Sequence, residues 1–350
     1  MGIVKFALRG NYKKYYEDLK ELSKSNHKSP TLMFIDTGIS CLLFKSGLQD
    51  YINYKFYEKS LYQRSKYASI GFQHKFYRIA AHWDHAPFFS NKINFMHNFK
   101  EYTKRECVSY KDSLETVEKF IKEHKTIIKK PINGFGGSQV EKIYTKDIKD
   151  IKEFYKNLKT DLCLIEEEVI QNKEWSKLNP DSLNTVRIVT KCIKGNAEIL
   201  YAVVRIGSGK SIVDNFHQGG VGVKVNIEKG CLEGKTIDKK NNESDETRVT
   251  HIKEDGFKIP YWNEIIEMCL AASKVNDNVN IVGWDVGITD DAPVIIEGNR
   301  GPGMDIIQML YKRGVKSDLK KIKKEILAVR KAEEKEKKRK LKEEKKWLTC

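Results

Sequence analysis

From residue 91 onward, apolar positions recur with two alternating rhythms, one near 3.6 residues and one of two, separated by glycine, proline and serine. The longer period predicts helices over 91–104, where Ser90 can cap, over 113–124, with Ser113 as N-cap, and over 148–158 and 262–273. Runs of β-branched and aromatic residues predict strands over 126–130, 139–143, 162–166, 185–193, 197–206, 221–226, 281–288 and 292–297. Most connections in the second half are short, so the strands there pair as antiparallel hairpins and the class is α+β. Residues 1–90 read as a mixed, aromatic-rich region with helices over 12–24 and 49–64. The apolar segment 31–44, interrupted by Gly38, fits a strand or a buried helix equally. No internal repeat is visible.

Composition narrows the class. The chain has 350 residues, 40% hydrophobic and 32% charged, a globular balance with material for about two domains. Its apolar runs fall well short of the roughly 20 residues of a membrane span. Residues 1–6 have too short an apolar stretch for a leader peptide and lack the Ser or Thr at position 6 expected for myristoylation, so no targeting segment is expected. The seven cysteines, at 41, 107, 163, 192, 231, 269 and 350, are scattered without a C-x-x-C. They predict a reducing, cytoplasmic setting rather than a disulfide scaffold or zinc site.

Charge changes the picture locally. The net charge is +16, and residues 316–350 hold 15 Lys+Arg against 7 Asp+Glu, an excess of +8. This tail lacks proline, and acid–base pairs at four-residue spacing, such as Glu333 with Lys337, predict an exposed basic helix. It is either a solvated helix or an electrostatic contact with an anionic surface, such as an acidic glycan or lipid head groups at the inner membrane face. No nucleic-acid motif accompanies it, so a specific nucleic-acid partner is not expected.

Three motifs bear on chemistry. In Ile127-Ile128-Lys129-Lys130-Pro131-Ile132-Asn133-Gly134-Phe135-Gly136-Gly137-Ser138 a strand ends in a lysine before a glycine-rich turn. Backbone N–H groups and a lysine charge make such a turn a phosphate cradle, though a tight hairpin fits equally. By contrast, Gly207-Ser208-Gly209-Lys210-Ser211 only ends like a P-loop, since Val204 stands where glycine is required. The pair His82 and His85 lacks a partner pair and reads as structural. The strongest cluster is Gly283-Trp284-Asp285-Val286-Gly287 followed by Ile296-Glu297-Gly298-Asn299-Arg300-Gly301-Pro302-Gly303. On neighbouring antiparallel strands Asp285 and Glu297 can face one side, and Asn299 returns to it two residues later. These hard oxygens suit Mg²⁺, and acids inside apolar strands cost several kcal/mol unless paired.

The Lys130-Pro131 glycine loop, the strand end Ile165-Glu166-Glu167-Glu168-Val169-Ile170-Gln171, and Asp285 twelve residues before Glu297-Gly298-Asn299 together resemble the ATP-grasp superfamily. More narrowly, Asn179-Pro180-Asp181-Ser182-Leu183-Asn184-Thr185-Val186-Arg187, Asp214-Asn215-Phe216-His217-Gln218-Gly219-Gly220 and Gly283-Trp284-Asp285 resemble the sugar-transfer-associated ATP-grasp proteins of bacterial polysaccharide loci. The resemblance covers about residues 91–310; Asn172 departs from it, standing where histidine often follows the glutamine. It implies an ATP-grasp fold, two α+β subdomains clamping ATP: a small one over 91–163, a large one over 164–315, after a region 1–90 and before the tail 316–350.

The resemblance also implies roles. Lys92 and Lys130 would be the nucleotide-binding lysines, and Gly134, Gly136, Gly137 and Ser138 the flap over the phosphates. Glu166, Glu167 and Val169 would sit at the adenine hinge, with Glu174 on the ribose. Arg187 and Arg205 would steady the γ-phosphoryl group and a substrate carboxylate, with Asn215 a further contact. Asp285, Glu297 and Asn299 would bind Mg²⁺, expected as two ions. The implied activity is an ATP-dependent carboxylate–amine ligase acting through an acyl phosphate, joining an amine or amino acid to a carboxylated sugar. A phosphotransferase on the same fold and a non-catalytic nucleotide-binding scaffold are the alternatives.

Overall fold

The computed structural model describes residues 11–81, 83–133, 139–207, 216, 219–247, 249–253 and 255–347. It divides into one unit formed by Met1–Ala80 with Lys312–Cys350 and a second formed by Ala81–Tyr311.

Among its described residues the first unit is built from helices. Ser29 caps the helix Pro30–Phe44, accepting from the N–H of Leu32, with the proline in the first turn. That start signal decides the segment that alternation left open. The helix expected over 49–64 is instead three pieces, Leu48–Asn53, Phe56–Glu58 and Leu61–Arg64. Lys55 is the cause: its left-handed φ of 49° cannot continue a helix. The helix Ile70–Ala80 packs against the long C-terminal helix Lys316–Trp347, which the charge pattern predicted.

The second unit carries two antiparallel sheets. The first has strands β1 (Cys107–Ser109), β2 (Thr126–Pro131), β3 (Glu141–Tyr144) and β4 (Cys163–Glu167) in the order β1-β4-β2-β3. Helices Leu114–Glu123 and Ile151–Thr160 cover one face, burying Val117, Phe120, Ile121 and Leu158 against Ile127 and Ile165. Each helix starts at a side-chain cap, Ser113 on the N–H of Thr116 and Asp150 on those of Lys152 and Glu153. The second helix thus begins three residues later than its apolar spacing suggests.

The second sheet has β5 (Thr185–Ile193), β6 (Asn196–Ile206), β7 (Val221–Asn226), β8 (Cys231–Asp238), β9 (Glu243–Ser244), β10 (Ile281–Ile288) and β11 (Pro293–Asn299). Its order is β11-β10-β5-β6-β7-β8-β9. The strand β10 is buried along its whole length, which explains its nearly unbroken apolar run. Helix Trp262–Lys274 packs on β5, β6 and β10. Near the opposite end of the chain segment, Phe89, Phe95 and Phe99 surround Trp284 of β10. Asn91, not Ser90, caps the next helix, accepting from Ile93 and Asn94, while Ser90 donates back to the carbonyl of Ala86. The helix expected over 91–104 breaks at Phe99 into Lys92–Asn98 and Lys100–Thr103.

Candidate active site

The large sheet brings four charged residues together across four neighbouring strands. Glu297 of β11 lies opposite Asp285 of β10, and Asp285 lies opposite Arg187 of β5. Arg205 comes from β6, two positions beyond the partner of Arg187. Both nitrogens of an Arg187 fork donate to Asp285, Nε to Oδ1 and Nη2 to Oδ2 at 2.8 Å. Arg205 Nη2 donates to Oδ2 at 2.9 Å and to Thr185 Oγ1 at 3.1 Å. Asp285 is 1% exposed, so the guanidinium pairing is what lets it stay ionised. Burial acts to raise its carboxyl, and Arg187 and then Arg205 reverse this, leaving it far below the usual carboxylate range.

Glu297 is shifted the other way. Its carboxyl is packed round by protein on several sides, although the residue is exposed along the cleft. That enclosure, and next the Asp285 carboxylate, raise it. Asn299 Nδ2 donates to Glu297 Oε1 at 2.9 Å, which turns the amide oxygen away from this acid. A β-bulge after Asp285 interrupts the ladder beside this acid pair.

The small sheet supplies the facing wall. Lys130 at the end of β2 pairs with the buried Glu166 of β4, while Lys129, on the opposite face, bonds Asp161 at 2.8 Å. Burial would raise Glu166, but Lys130 and then Arg105 hold it low. Lys92, from the start of its helix, is pushed down chiefly by burial; Glu297 opposes the shift and Lys130 adds to it. Lys92, Lys130, Glu166, Glu297, Asn299 and Arg300 all line one cleft, walled by Phe89, Phe95 and Met96.

Not every expected residue lies there. Glu167 faces away from Glu166, as strand alternation demands: its side chain accepts from the Glu106 N–H at 2.7 Å and bonds His124 Nε2 at 3.0 Å. Its own N–H is already given to the Glu106 carbonyl, so it cannot also read a base. Val169 follows the strand beside Gly287 of β10. Glu174 is exposed and pairs with Lys177 at 2.5 Å. None of these three is part of the cleft lining. Gly134, Gly136, Gly137, Ser138 and Asn215 lie outside the described residues, as do His82 and residues 208–211.

Two residues escaped the sequence reading. Arg105 is buried, 3.6 Å from Glu166, and donates to the carbonyls of Ile295 at 2.9 Å and Ile296, tying the small sheet to β11. Nothing in Lys104-Arg105-Glu106 separates it from a surface arginine. Arg300 lines the cleft beside Asn299; its place directly after the Glu-x-Asn run was the available signal.

A family described as sugar-transfer associated ATP-grasp matches residues 54–324. Among solved structures, the ATP-grasp ligase PsnB complexed with minimal precursor aligns at 13% identity and TM-score 0.41, covering 69% of this chain and 61% of that one. The D-alanine-D-alanine ligase from Coxiella burnetii aligns at 10% identity and TM-score 0.43, covering 73% and 62%. The L-amino acid ligase from Bacillus licheniformis aligns at 15% identity and TM-score 0.37, covering 63% and 42%. The chain therefore spans less than two thirds of the length of each. No curated protein sequence gives a significant match.

Proposed function

The chain belongs to the sugar-transfer associated ATP-grasp family, and on that premise we propose that it is an ATP-dependent ligase joining a carboxylate to an amine. The observation that carries this reading is the single cleft onto which Lys92 and Lys130 converge from one side and Glu297 and Asn299 from the other. Two lysines bring positive charge to a polyphosphate. Glu297 and Asn299 open to the cleft, and Asp285 stands directly behind Glu297. Two acids facing each other hold like charges together, an arrangement that a divalent cation relieves, and the oxygen donors suit Mg²⁺. When bound there, Mg²⁺ would neutralise phosphate charge.

The reaction needs no protein nucleophile. A substrate carboxylate oxygen attacks the γ-phosphorus, the bond to the β-γ bridging oxygen breaks, and ADP leaves. The amine then adds to the acyl carbon, phosphate departs with the acyl–oxygen electrons, and the proton lost by the nitrogen ends on the released phosphate. Positioning and charge stabilisation supply the rate. We assign the grip on the acid expected of Arg187 and Arg205 to Arg300, which lines the cleft where they do not. They act by fixing the Asp285 carboxylate. The base-reading backbone we assign to the segment after β4 that contains Val169.

For the acid we infer a carboxylated sugar or glycan, in keeping with the family's description. For the basic Lys316–Trp347 helix we infer peripheral contact with an anionic membrane surface from the cytoplasmic side. A screen of ADP release against pools of uronic acids and amino acids tests the reading: release should require one member of each pool together. ATP that fails to bind, or hydrolysis indifferent to both pools, would contradict it.

A further inference from the structure

The helix Pro30–Phe44 is built inside out. Its one charged residue, Asp36, turns toward the unit's interior, where Arg64 donates to both carboxylate oxygens at 2.6 and 2.7 Å and Tyr51 donates at 2.8 Å. Two of its hydroxyl residues are also internal, Thr37 sharing a hydrogen bond with Tyr15 and Ser40 accepting from Arg64, while Thr31 is exposed in the first turn. The outward face is aliphatic. Leu32, Ile35, Ile39, Leu42 and Leu43 are 65%, 55%, 42%, 71% and 58% exposed, at helical spacing along one stripe. A Cβ added to Gly38, in the middle of that stripe, would meet nothing within 4 Å. Such a stripe is the reverse of what a helix of a free-standing soluble unit presents.

Its surroundings say what covers it. The unit formed by Met1–Ala80 and Lys312–Cys350 holds 31 Lys+Arg against 13 Asp+Glu, +18, whereas Ala81–Tyr311 holds 33 against 35, −2. The entire net positive charge therefore resides in the unit that bears the aliphatic stripe. At the end of the stripe, Lys45 caps the helix, and Lys75 and Lys323 stand close enough to it that the Lys75 ammonium is pushed down, by Lys45 first. At the other end the half-exposed ring of Phe34 packs edge-on with Tyr12 and Tyr16, at 6.4 and 5.9 Å. An aliphatic face with aromatic residues at one end and ammonium groups at the other matches the interface of an anionic bilayer. At 15 residues the helix is too short to span, and no described helix is long and apolar enough to do so.

We propose that the helix Pro30–Phe44 lies in the surface of an anionic lipid bilayer, with Leu32, Ile35, Ile39 and Leu42 in the acyl boundary and the lysines of the same unit on the head groups. The proposal does not depend on the ligase reading. It extends the contact assigned to the C-terminal helix by adding an apolar element that salt does not screen.

Sedimentation of the full chain with vesicles of phosphatidylcholine and phosphatidylglycerol, at low and high salt, tests it. The exposed positions allow Ile35→Gln with Leu42→Gln without disturbing the fold, which unchanged thermal unfolding and ATP binding would verify. Binding should require phosphatidylglycerol, persist in part at high salt, and weaken on the order of a hundred-fold in the double variant. Binding that survives the double variant but is lost when residues 316–350 are deleted would leave the tail contact standing and overturn the helix insertion. No binding to either vesicle would overturn both. The proposal also falls if a wild-type dimer is dispersed by Ile39→Lys, if vesicles bind only after residues 1–10 are removed, or if RNA competes fully with vesicles at both salt levels.

Discussion

Arg187 and Asp285 face each other across neighbouring buried strands and are joined by a two-pronged hydrogen bond, with Arg205 adding a third contact from β6. On its other flank Asp285 meets Glu297. Across β6, β5, β10 and β11 the order is therefore cation, cation, acid, acid, ending at the cleft. Asp285 is anchored by the guanidinium groups, and Glu297 is the acid presented to a ligand.

The two acids should consequently fail in different ways. Asp285→Asn leaves two guanidinium groups facing a neutral amide inside the sheet and should cost about 3–5 kcal/mol of stability, seen as a lower denaturation midpoint. Glu297→Gln removes the raised, cleft-facing carboxyl and should leave the midpoint nearly unchanged while abolishing ADP formation. Near-normal turnover by the second variant at ordinary Mg²⁺ would refute the site.

The two lysines at the end of β2 should separate as cleanly. Lys130→Met removes the cleft-facing ammonium and should weaken ATP binding by roughly ten- to a hundred-fold. Lys129→Met loses the pairings with Asp161 and, at 4.0 Å, Glu141 on the other face, together worth about 1 kcal/mol of stability. Calorimetric titration with ATP ranks them; the reverse order would mean that the opposite face of the small sheet binds nucleotide.

Glu166 gives the pH dependence. Its folded pKa is depressed by Lys130 and Arg105, more than burial raises it. A depressed carboxylate contributes stability that is fully present above its unfolded value, about 4.3, and lost as pH falls toward the folded one. The stability gap between wild type and Glu166→Gln should thus be a few kcal/mol at neutral pH and narrow below about pH 4. A gap that widens in acid would contradict the assigned pairing.

Gly298 separates Glu297 from Asn299 in the cleft and has no room to spare. A Cβ there would come within 2.9 Å of both Phe95 and Trp284, two packed aromatic rings. Gly298→Ala should cost about 1–3 kcal/mol and lower Mg-ATP affinity together with stability. Unchanged unfolding and binding would show that the rings yield more easily than their packing indicates.

Much of this was written in the chain, and the missing parts have physical reasons. The strands β10 and β11 carry strong apolar runs, so Asp285 and Glu297 could be placed on adjacent strands from sequence, whereas the pairing of β5 with β10 that brings Arg187 beside Asp285 joins segments almost a hundred residues apart and could not. The α+β class, the antiparallel second half and the basic terminal helix follow from the same signals. The short strand β1 and the helix Asp305–Leu310 were missed because three and six residues are too few to show a period. The strand β8 escaped because its polar centre, Glu233-Gly234-Lys235, breaks the alternation. The break at Lys55 was invisible because a non-glycine residue rarely takes a positive φ. In the run Glu166-Glu167-Glu168, composition could not say which acid faces the cleft; register does. The aliphatic stripe on Pro30–Phe44 could be seen as apolar, but only the positions of Asp36, Thr37 and Ser40 inside show that it points outward.

In the ligase reading we propose, a carboxylate, not a hydroxyl, receives the γ-phosphoryl group. Hydroxylamine intercepts an acyl phosphate as a hydroxamate and leaves a sugar phosphate ester intact, and its small size admits it to an acceptor site shaped for another amine. Supplied with its acid, Mg-ATP and hydroxylamine, the enzyme should form ADP and hydroxamate in equal amounts, and Glu297→Gln should form neither. Stoichiometric ADP without hydroxamate, accompanied by a stable phosphorylated product in the ³¹P spectrum, would contradict the ligase account and establish a phosphotransferase in the same cleft.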